Sequence, residues 1–257
     1  MASPFSVRTE ARPLRAGEGE VGVVMSHGFT GTVASIRPWA MGLAQPDDGW
    51  PGARVLAPRL PGHGTHWRDM ERTRWWDWYN ALEDAFLELA DACSTVFVAG
   101  LSMGGALALR LAGLHPVRGV LLVNPSVASR DPRIPVASRL HKVLPPLKGI
   151  TSDIALPDVT EPGYTHFSLT SLATMRDLWT DTQAKLPRIS SRVLLMTSTV
   201  DHVVDGASRE IIRRKVLHVE DVELTRSYHV ATMDHDSDRI VAESRRFITE
   251  RVASVAP

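Results

Sequence analysis

The sequence predicts an α/β fold in one domain spanning 1–257, a mainly parallel central sheet flanked by helices, with a small insertion over 126–185. Three observations predict it. Short apolar runs recur with few polar residues inside them, the pattern of strands buried on both faces. Longer stretches between them carry apolar residues at helical three- and four-residue spacing. The two alternate, and strand–helix–strand units with crossovers of about a dozen residues or more build parallel sheets. A chain of 257 residues, 44% hydrophobic and 23% charged, has the length and composition to bury one large core.

The first run, VGVVMSHG (21–28), reads as a buried strand ending at a glycine turn. AQPDDGWPGA (44–53) reads as a surface loop, and ARVLAPRLPGHG (53–64) as a second strand entering a proline–glycine loop. WWDWYNALEDAFLELADAC (75–93) has the spacing of an amphipathic helix. TVFVAG (95–100) is the next strand, followed by a helix over 104–114 and another strand, GVLLVNP (119–125). RVLLMTST (192–199) and VLHVEDVEL (216–224) complete the strands, and a last helix fits 237–252. From 126 to 185 the rhythm breaks, proline-spotted and weakly periodic between two central strands. That is far longer than a crossover requires, so the segment is expected to be an insertion lying over the sheet.

Basic and acidic residues number 29 each, so the formal net charge is zero and nothing resembles the basic stripe of a nucleic-acid binder. Cys93 is the single cysteine and forms no internal disulfide, as in a reducing compartment. The start, MASPFSVRTEARPLRAGEG, lacks the apolar stretch of about 7–15 residues of a signal peptide. No segment approaches the roughly 18 apolar residues that cross a bilayer. The expectation is a soluble cytoplasmic protein, with peripheral attachment to a membrane surface left open and the oligomeric state unspecified. No motif implies a metal or an organic cofactor.

One stretch points to chemistry. In FVAGLSMGGALAL (97–109), Ser102 lies between Gly100 and Gly104, after a strand and before a helix. A G-x-S-x-G sequence in that setting is the pattern of a nucleophile elbow, which lifts the hydroxyl above the carboxyl edge of the sheet. A serine hydroxyl needs a base to take its proton and an acid to orient that base, in the chain order serine, acid, histidine on such a sheet. Asp201 opens DHVVDG just beyond the strand 192–199; Asp205 is the rival, four residues on. His229 lies in SYHVATMD, after the strand 216–224; His235, among Asp234, Asp236 and Asp238, has the look of a solvated helix start. Oxyanion stabilisation needs two backbone N–H donors. Met103, after the nucleophile, supplies one, and Phe29 in HGFTG (27–31) supplies the other, with His27 bracing that loop.

HGFTG, PRLPGHGTHWRDMERT, FVAGLSMGG, DHVV and SYHVATMDHD are similar to the bacterial monoacylglycerol lipases and thermostable carboxylesterases of the α/β-hydrolase superfamily, over most of the chain outside 126–185. The resemblance implies an α/β-hydrolase fold with a small cap insertion. By position it puts nucleophile, acid and base at Ser102, Asp201 and His229, and oxyanion donors at Phe29 and Met103. It implies a serine ester hydrolase that cleaves monoacylglycerols to fatty acid and glycerol. A general carboxylesterase for short- to medium-chain esters and a non-catalytic ligand-binding protein on the same fold are the alternatives. In such lipases the cap meets lipid aggregates through an apolar outer face. Here LPPLKGITSDIALPDVTEPGY (144–164) offers Leu144, Leu147, Ile150, Ile154 and Leu156, either as a lipid-facing patch or as the cap's own core. Ile150 and Glu161 are the candidate substrate contacts; Glu161 matches a cap acid that meets the glycerol end, against the reading of a solvated loop glutamate. Two departures concern substrate fit: the loop 44–53 is longer than in the family, and Gly206 replaces a usual proline.

Overall fold

The computed structural model describes residues 5–140, 145–149 and 152–253. Along the chain the strands are β1 (Leu14–Ala16), β2 (Val21–Ser26), β3 (Arg54–Ala57), β4 (Thr95–Leu101) and β5 (Gly119–Val123). After them come β6 (Leu147–Lys148), β7 (His166–Phe167), β8 (Arg192–Ser198) and β9 (Val219–Leu224). The helices are α1 (Arg37–Ala44), α2 (Trp67–Met70), α3 (Trp75–Ala92), α4 (Met103–Ala112), α5 (Arg133–Arg139), α6 (Leu169–Lys185), α7 (Ala207–Lys215) and α8 (Ser237–Ala253).

The central sheet has the order β1-β3-β2-β4-β5-β8-β9. β1 is antiparallel to β3, and every other neighbour is parallel. The inner strands are apolar throughout because successive side chains face two different cores. On one face Val24, Val98, Leu122 and Leu195 pack against α3, α4 and α6. On the other, Val23, Phe97, Leu121 and Leu194 pack against α1 and α8 around Trp39 and Phe247. Each such buried side chain stabilises by about 1.5–3 kcal/mol. Register aligns the strand ends: Ser26 of β2 pairs with Gly100 of β4, and Ser198 of β8 with Leu224 of β9. The loops after these strands therefore open at one edge of the sheet.

The 126–185 stretch divides. Its end is α6, a 17-residue helix whose Leu172, Leu178 and Trp179 belong to the main core. The described part before it holds α5 and the two-stranded β6–β7 pair. The loop 44–53 is not all surface, because Trp50 is buried and donates its indole N–H to the Leu43 carbonyl at 2.9 Å. Among the described residues no helix is long and apolar enough to cross a membrane.

Candidate active site

Ser102 occupies the turn between β4 and α4 with φ 57° and ψ −121°, a conformation a non-glycine residue adopts at a cost of about 1–3 kcal/mol. Its backbone is held by three bonds. The Ser102 N–H donates to Val123 O at 3.0 Å, and its carbonyl accepts from the N–H groups of Gly105 at 2.9 Å and Ser126 at 3.0 Å. The flanking glycines answer to close approach rather than to positive φ. A Cβ at Gly100 would lie 2.2 Å from Gly104 O, and one at Gly104 would lie 2.2 Å from Ser26 O.

Asp201 follows β8 in a turn, where Oδ1 accepts the N–H groups of Val203 and Val204, both at 2.8 Å. Its Oδ2 lies 2.8 Å from Nδ1 of His229, both side chains being under a tenth exposed. Burial alone would raise the Asp201 carboxyl. The bond and charge of His229, with the two backbone N–H groups, outweigh burial and hold it below the usual carboxylate range. With a carboxylate at Nδ1, the neutral ring carries its proton there and leaves Nε2 as the acceptor.

The rival carboxylate does something else. Asp205 accepts from the Ser129 hydroxyl at 3.1 Å and from the N–H groups of Arg130 at 2.6 Å and Ala207 at 2.9 Å, tying the start of the insertion to α7. His235 is exposed, as expected of a helix start. Its acidic neighbours depart from that expectation, because Asp234 and Asp236 are buried. Asp234 accepts N–H groups from Ala155, Leu156 and Tyr228, and Asp236 accepts from Arg226 N–H while donating its own N–H to the Ser227 hydroxyl. These bonds satisfy carboxylates that would otherwise require water.

Two residues that the motifs do not reveal hold the His229 loop. Asn124, at the end of β5 with φ 44°, donates to the His229 carbonyl at 2.8 Å and accepts the Ser198 N–H at 2.7 Å. Asp153 accepts the His229 N–H at 3.2 Å. A polar side chain at the carboxyl end of a buried strand is the only sequence signal for Asn124, and Asp153 has none.

Phe29 and Ser102 line the same cavity, and a Cβ at Gly28 would lie 3.2 Å from Ser102 Cβ, so this loop passes directly against the serine. Met103 is the first residue of α4, where a backbone N–H has no intrahelical acceptor. The loop is braced by fully buried His27, whose Nδ1 bonds the Gly28 carbonyl at 3.0 Å while Nε2 accepts the Leu60 N–H at 3.3 Å. Burial pushes the His27 ring down to about 4, despite the Gly28 carbonyl and with a further push from Arg59. Its neighbour His63, 5.1 Å away between ring centroids, is likewise held well below the ordinary histidine range by burial and by His27.

The cavity measures about 590 Å³ and also opens on His229. One side is apolar, with Ile134, Leu172, Met175 and Trp179. Ser152, Asp153 and Glu161 add a polar side. Glu161 is partly buried at this cavity rather than on an open surface loop. Burial raises its carboxyl, partly offset by the charge of His229 and a bond to Ser35. A Cβ at Gly31 would lie 2.6 Å from Glu161 Oε1. Among the other insertion residues, Leu147 is exposed and lines the cavity, whereas Ile154 packs against the α1–α8 core. Leu156 is partly buried. Ile150 and Leu144 lie outside the described residues.

A mainly parallel sheet of this order with a serine elbow and an Asp–His pair at its carboxyl edge defines an α/β hydrolase. The model of the alpha/beta hydrolase family matches residues 23–243, and the chain belongs to that family. Over 254 residues it is 40% identical to a thermostable monoacylglycerol lipase of Bacillus sp. (strain H-257), covering 97% of this chain and 99% of the relative. It is 25% identical over 252 residues to a carboxylesterase of Bacillus subtilis (strain 168), covering 92% and 96% of the two chains. Among solved structures, a metagenome-derived lipolytic enzyme superposes with a TM-score of 0.90 at 32% identity, over 95% of this chain and 100% of that one. A monoglyceride lipase of Saccharomyces cerevisiae shares the fold, with a TM-score of 0.73 at 15% identity over 93% and 90% of the chains.

Proposed function

We propose that this protein is a serine carboxylic ester hydrolase that cleaves monoacylglycerols to a free fatty acid and glycerol. Ser102 attacks the ester carbonyl while Nε2 of His229 takes its proton. Asp201 keeps the imidazole in the tautomer that can do so and stabilises the imidazolium. The tetrahedral oxyanion is received by the backbone N–H groups of Phe29 and Met103. His229 then gives the proton to the departing glycerol oxygen, and water clears the acyl group from Ser102 by the same steps. The observation that carries this reading is the 2.8 Å Asp201–His229 bond at the wall of the cavity that Ser102 also lines.

The cavity suits the substrate class. Its volume of about 590 Å³ falls within the roughly 300–1,000 Å³ of small-molecule sites. The acyl chain fits the side of Ile134, Leu172, Met175 and Trp179. The glycerol end fits Glu161, whose carboxyl accepts from or donates to a hydroxyl according to its protonation; Ile150, the other candidate contact, lies outside the described residues. The cap is the part of 126–185 that precedes α6, and its exposed Val136, Leu140 and Leu147 give transient contact with lipid aggregates. The location is cytoplasmic, with peripheral attachment to membranes, in keeping with a single cysteine and no disulfide.

The test is a hydrolysis profile over mono-, di- and triacylglycerols and simple ethyl esters, with a fluorophosphonate probe on the serine. Preference for monoacylglycerol supports the proposal, and equal rates on ethyl esters of the same acyl chain replace it with a general carboxylesterase. A chain that is folded but unlabelled at Ser102 is a binding protein instead.

A further inference from the structure

Acid and base reach the site on separate loops, after β8 and after β9. Asn124 and the Ser198 hydroxyl secure the second of these, through the carbonyls of His229 and Tyr228, to the strand ends. Neither reaches past residue 198 into the acid loop. A third segment does. The insertion residue Asp153, with a side chain only a tenth exposed, turns its carboxylate between the two loops. Oδ2 accepts the N–H of His202 at 3.1 Å and that of His229 at 3.2 Å. Oδ1 bonds Nδ1 of His202 at 2.8 Å, and the Asp153 carbonyl accepts the Val230 N–H at 3.0 Å. The residue after the acid and the base itself thus share one oxygen.

That carboxylate is itself well held. Ser152 has φ 58°, a left-handed conformation that persists only where the surroundings determine it. Its hydroxyl accepts the Glu161 N–H at 2.8 Å. On the other side the N–H groups of Ala155 and Leu156 end on Asp234 at 2.7 and 2.9 Å, and Ile154 is packed into the core. Asp234 also binds the Tyr228 N–H, so the insertion and the base loop are stitched together on both sides of Asp153.

We propose that Asp153 is a positioning residue for the Asp201–His229 pair, its Oδ2 bridging the acid loop and the base loop so that carboxylate and imidazole keep their bonding distance. The inference rests on the ester-hydrolase reading above. The bond to the His202 ring is secondary, because that side chain is 55% exposed and exposed ion pairs contribute little. Releasing the bridge lets the imidazole drift, and a displacement of about 1 Å at a catalytic group lowers rates by up to about a hundredfold. Asp153 itself lines the cavity, but a butyryl ester is held chiefly by the apolar Ile134, Leu172, Met175 and Trp179, so its ground-state binding changes little.

The experiment measures kcat and KM for p-nitrophenyl butyrate, per active site titrated with the fluorophosphonate probe, together with the thermal midpoint. Asp153→Ala is expected to lower kcat at least about tenfold with KM within about twofold. Asp153→Asn keeps an oxygen that can accept both backbone N–H groups, and His202→Ala keeps the bridge intact; each is expected to hold kcat within about threefold of wild type. Should Asp153→Ala not fold, Asp153→Ser, too short to bridge, carries the same expectation. An active wild type with either short variant within about threefold of it overturns this inference alone, as does Asp153→Asn impaired as badly as they are. A wild type that neither labels nor turns over overturns the hydrolase reading, and this one with it.

Discussion

His229 Nδ1 and Asp201 Oδ2 lie 2.8 Å apart, whereas Asp205, four residues beyond Asp201, spends its carboxylate on Ser129, Arg130 and Ala207. The two aspartates of DHVVD therefore make opposite predictions. Asp201→Asn is expected to keep the fold and lower kcat by about 10³–10⁴-fold through the wrong imidazole tautomer. Asp205→Asn, which keeps one acceptor oxygen and so gives up either the Ala207 bond or the Ser129 and Arg130 bonds, is expected to stay within about tenfold and to lower stability by no more than about 1 kcal/mol. Steady-state kinetics and urea titration of both variants check this, and equal losses of activity would remove Asp201 from its special place.

Changing Ser102 to Ala is expected to abolish fluorophosphonate labelling and to reduce turnover by several orders of magnitude. The fold should survive, since an alanine in the strained turn meets the same backbone demand as the serine and removes only a buried hydroxyl. Circular dichroism with a rate assay decides it; an activity loss below about tenfold contradicts the role.

The main strands are legible in the sequence because both of their faces are buried, so that alternation between two cores writes itself as an unbroken apolar run. Other elements are hidden for identifiable reasons. The helix α1 is short and carries Gly42, a residue that ordinarily argues against a helix interior, while Pro38 in its first turn is compatible with one; Gly42 is there because a Cβ would meet Val241 at 2.6 Å. The helix α6 buries Ser171, Thr174 and Thr182, which blur its periodicity. Thr182 bonds the Ala106 carbonyl of α4 at 3.3 Å and Thr174 accepts the Trp75 N–H at the start of α3 at 2.9 Å, contacts no local pattern encodes. In the site, Ser102 stands out because glycines flank it at a strand end, and Asp201 and His229 because each follows a strand. Asp153 and Asn124 do not, because their partners lie 76 and 105 residues away.

Gly31→Ala tests the polar end of the cavity without touching the serine. Its Cβ would come within 2.6 Å of Glu161 Oε1, the free end of a flexible side chain, so Glu161 swings aside and the backbone stays. The expected result is a severalfold rise in KM for monoacylglycerol, no more than about twofold change for an ethyl ester of the same chain, and a nearly unchanged thermal midpoint. Equal changes on both esters would show that Glu161 does not read the glycerol end.

The buried histidines give stability a definite dependence on pH. His27 ionises near 6.5 when unfolded and at about 4 in the native protein, so between those values the unfolded chain binds more protons. Stability is then full above about pH 6.5 and is lost as pH falls toward 4, by up to about 1.4 kcal/mol per unit and about 3 kcal/mol in all for this residue. His63 acts in the same direction. Glu161 opposes them, because its raised pKa makes the native protein the better proton acceptor, so the measurement belongs in Glu161→Gln. Urea midpoints of that variant are expected to hold between pH 8 and 7 and to fall steadily from about 6.5 to 4.5. A flat profile across that interval would mean that His27 takes up its proton in the folded state, and that the loop carrying Phe29 is not sealed by a neutral imidazole.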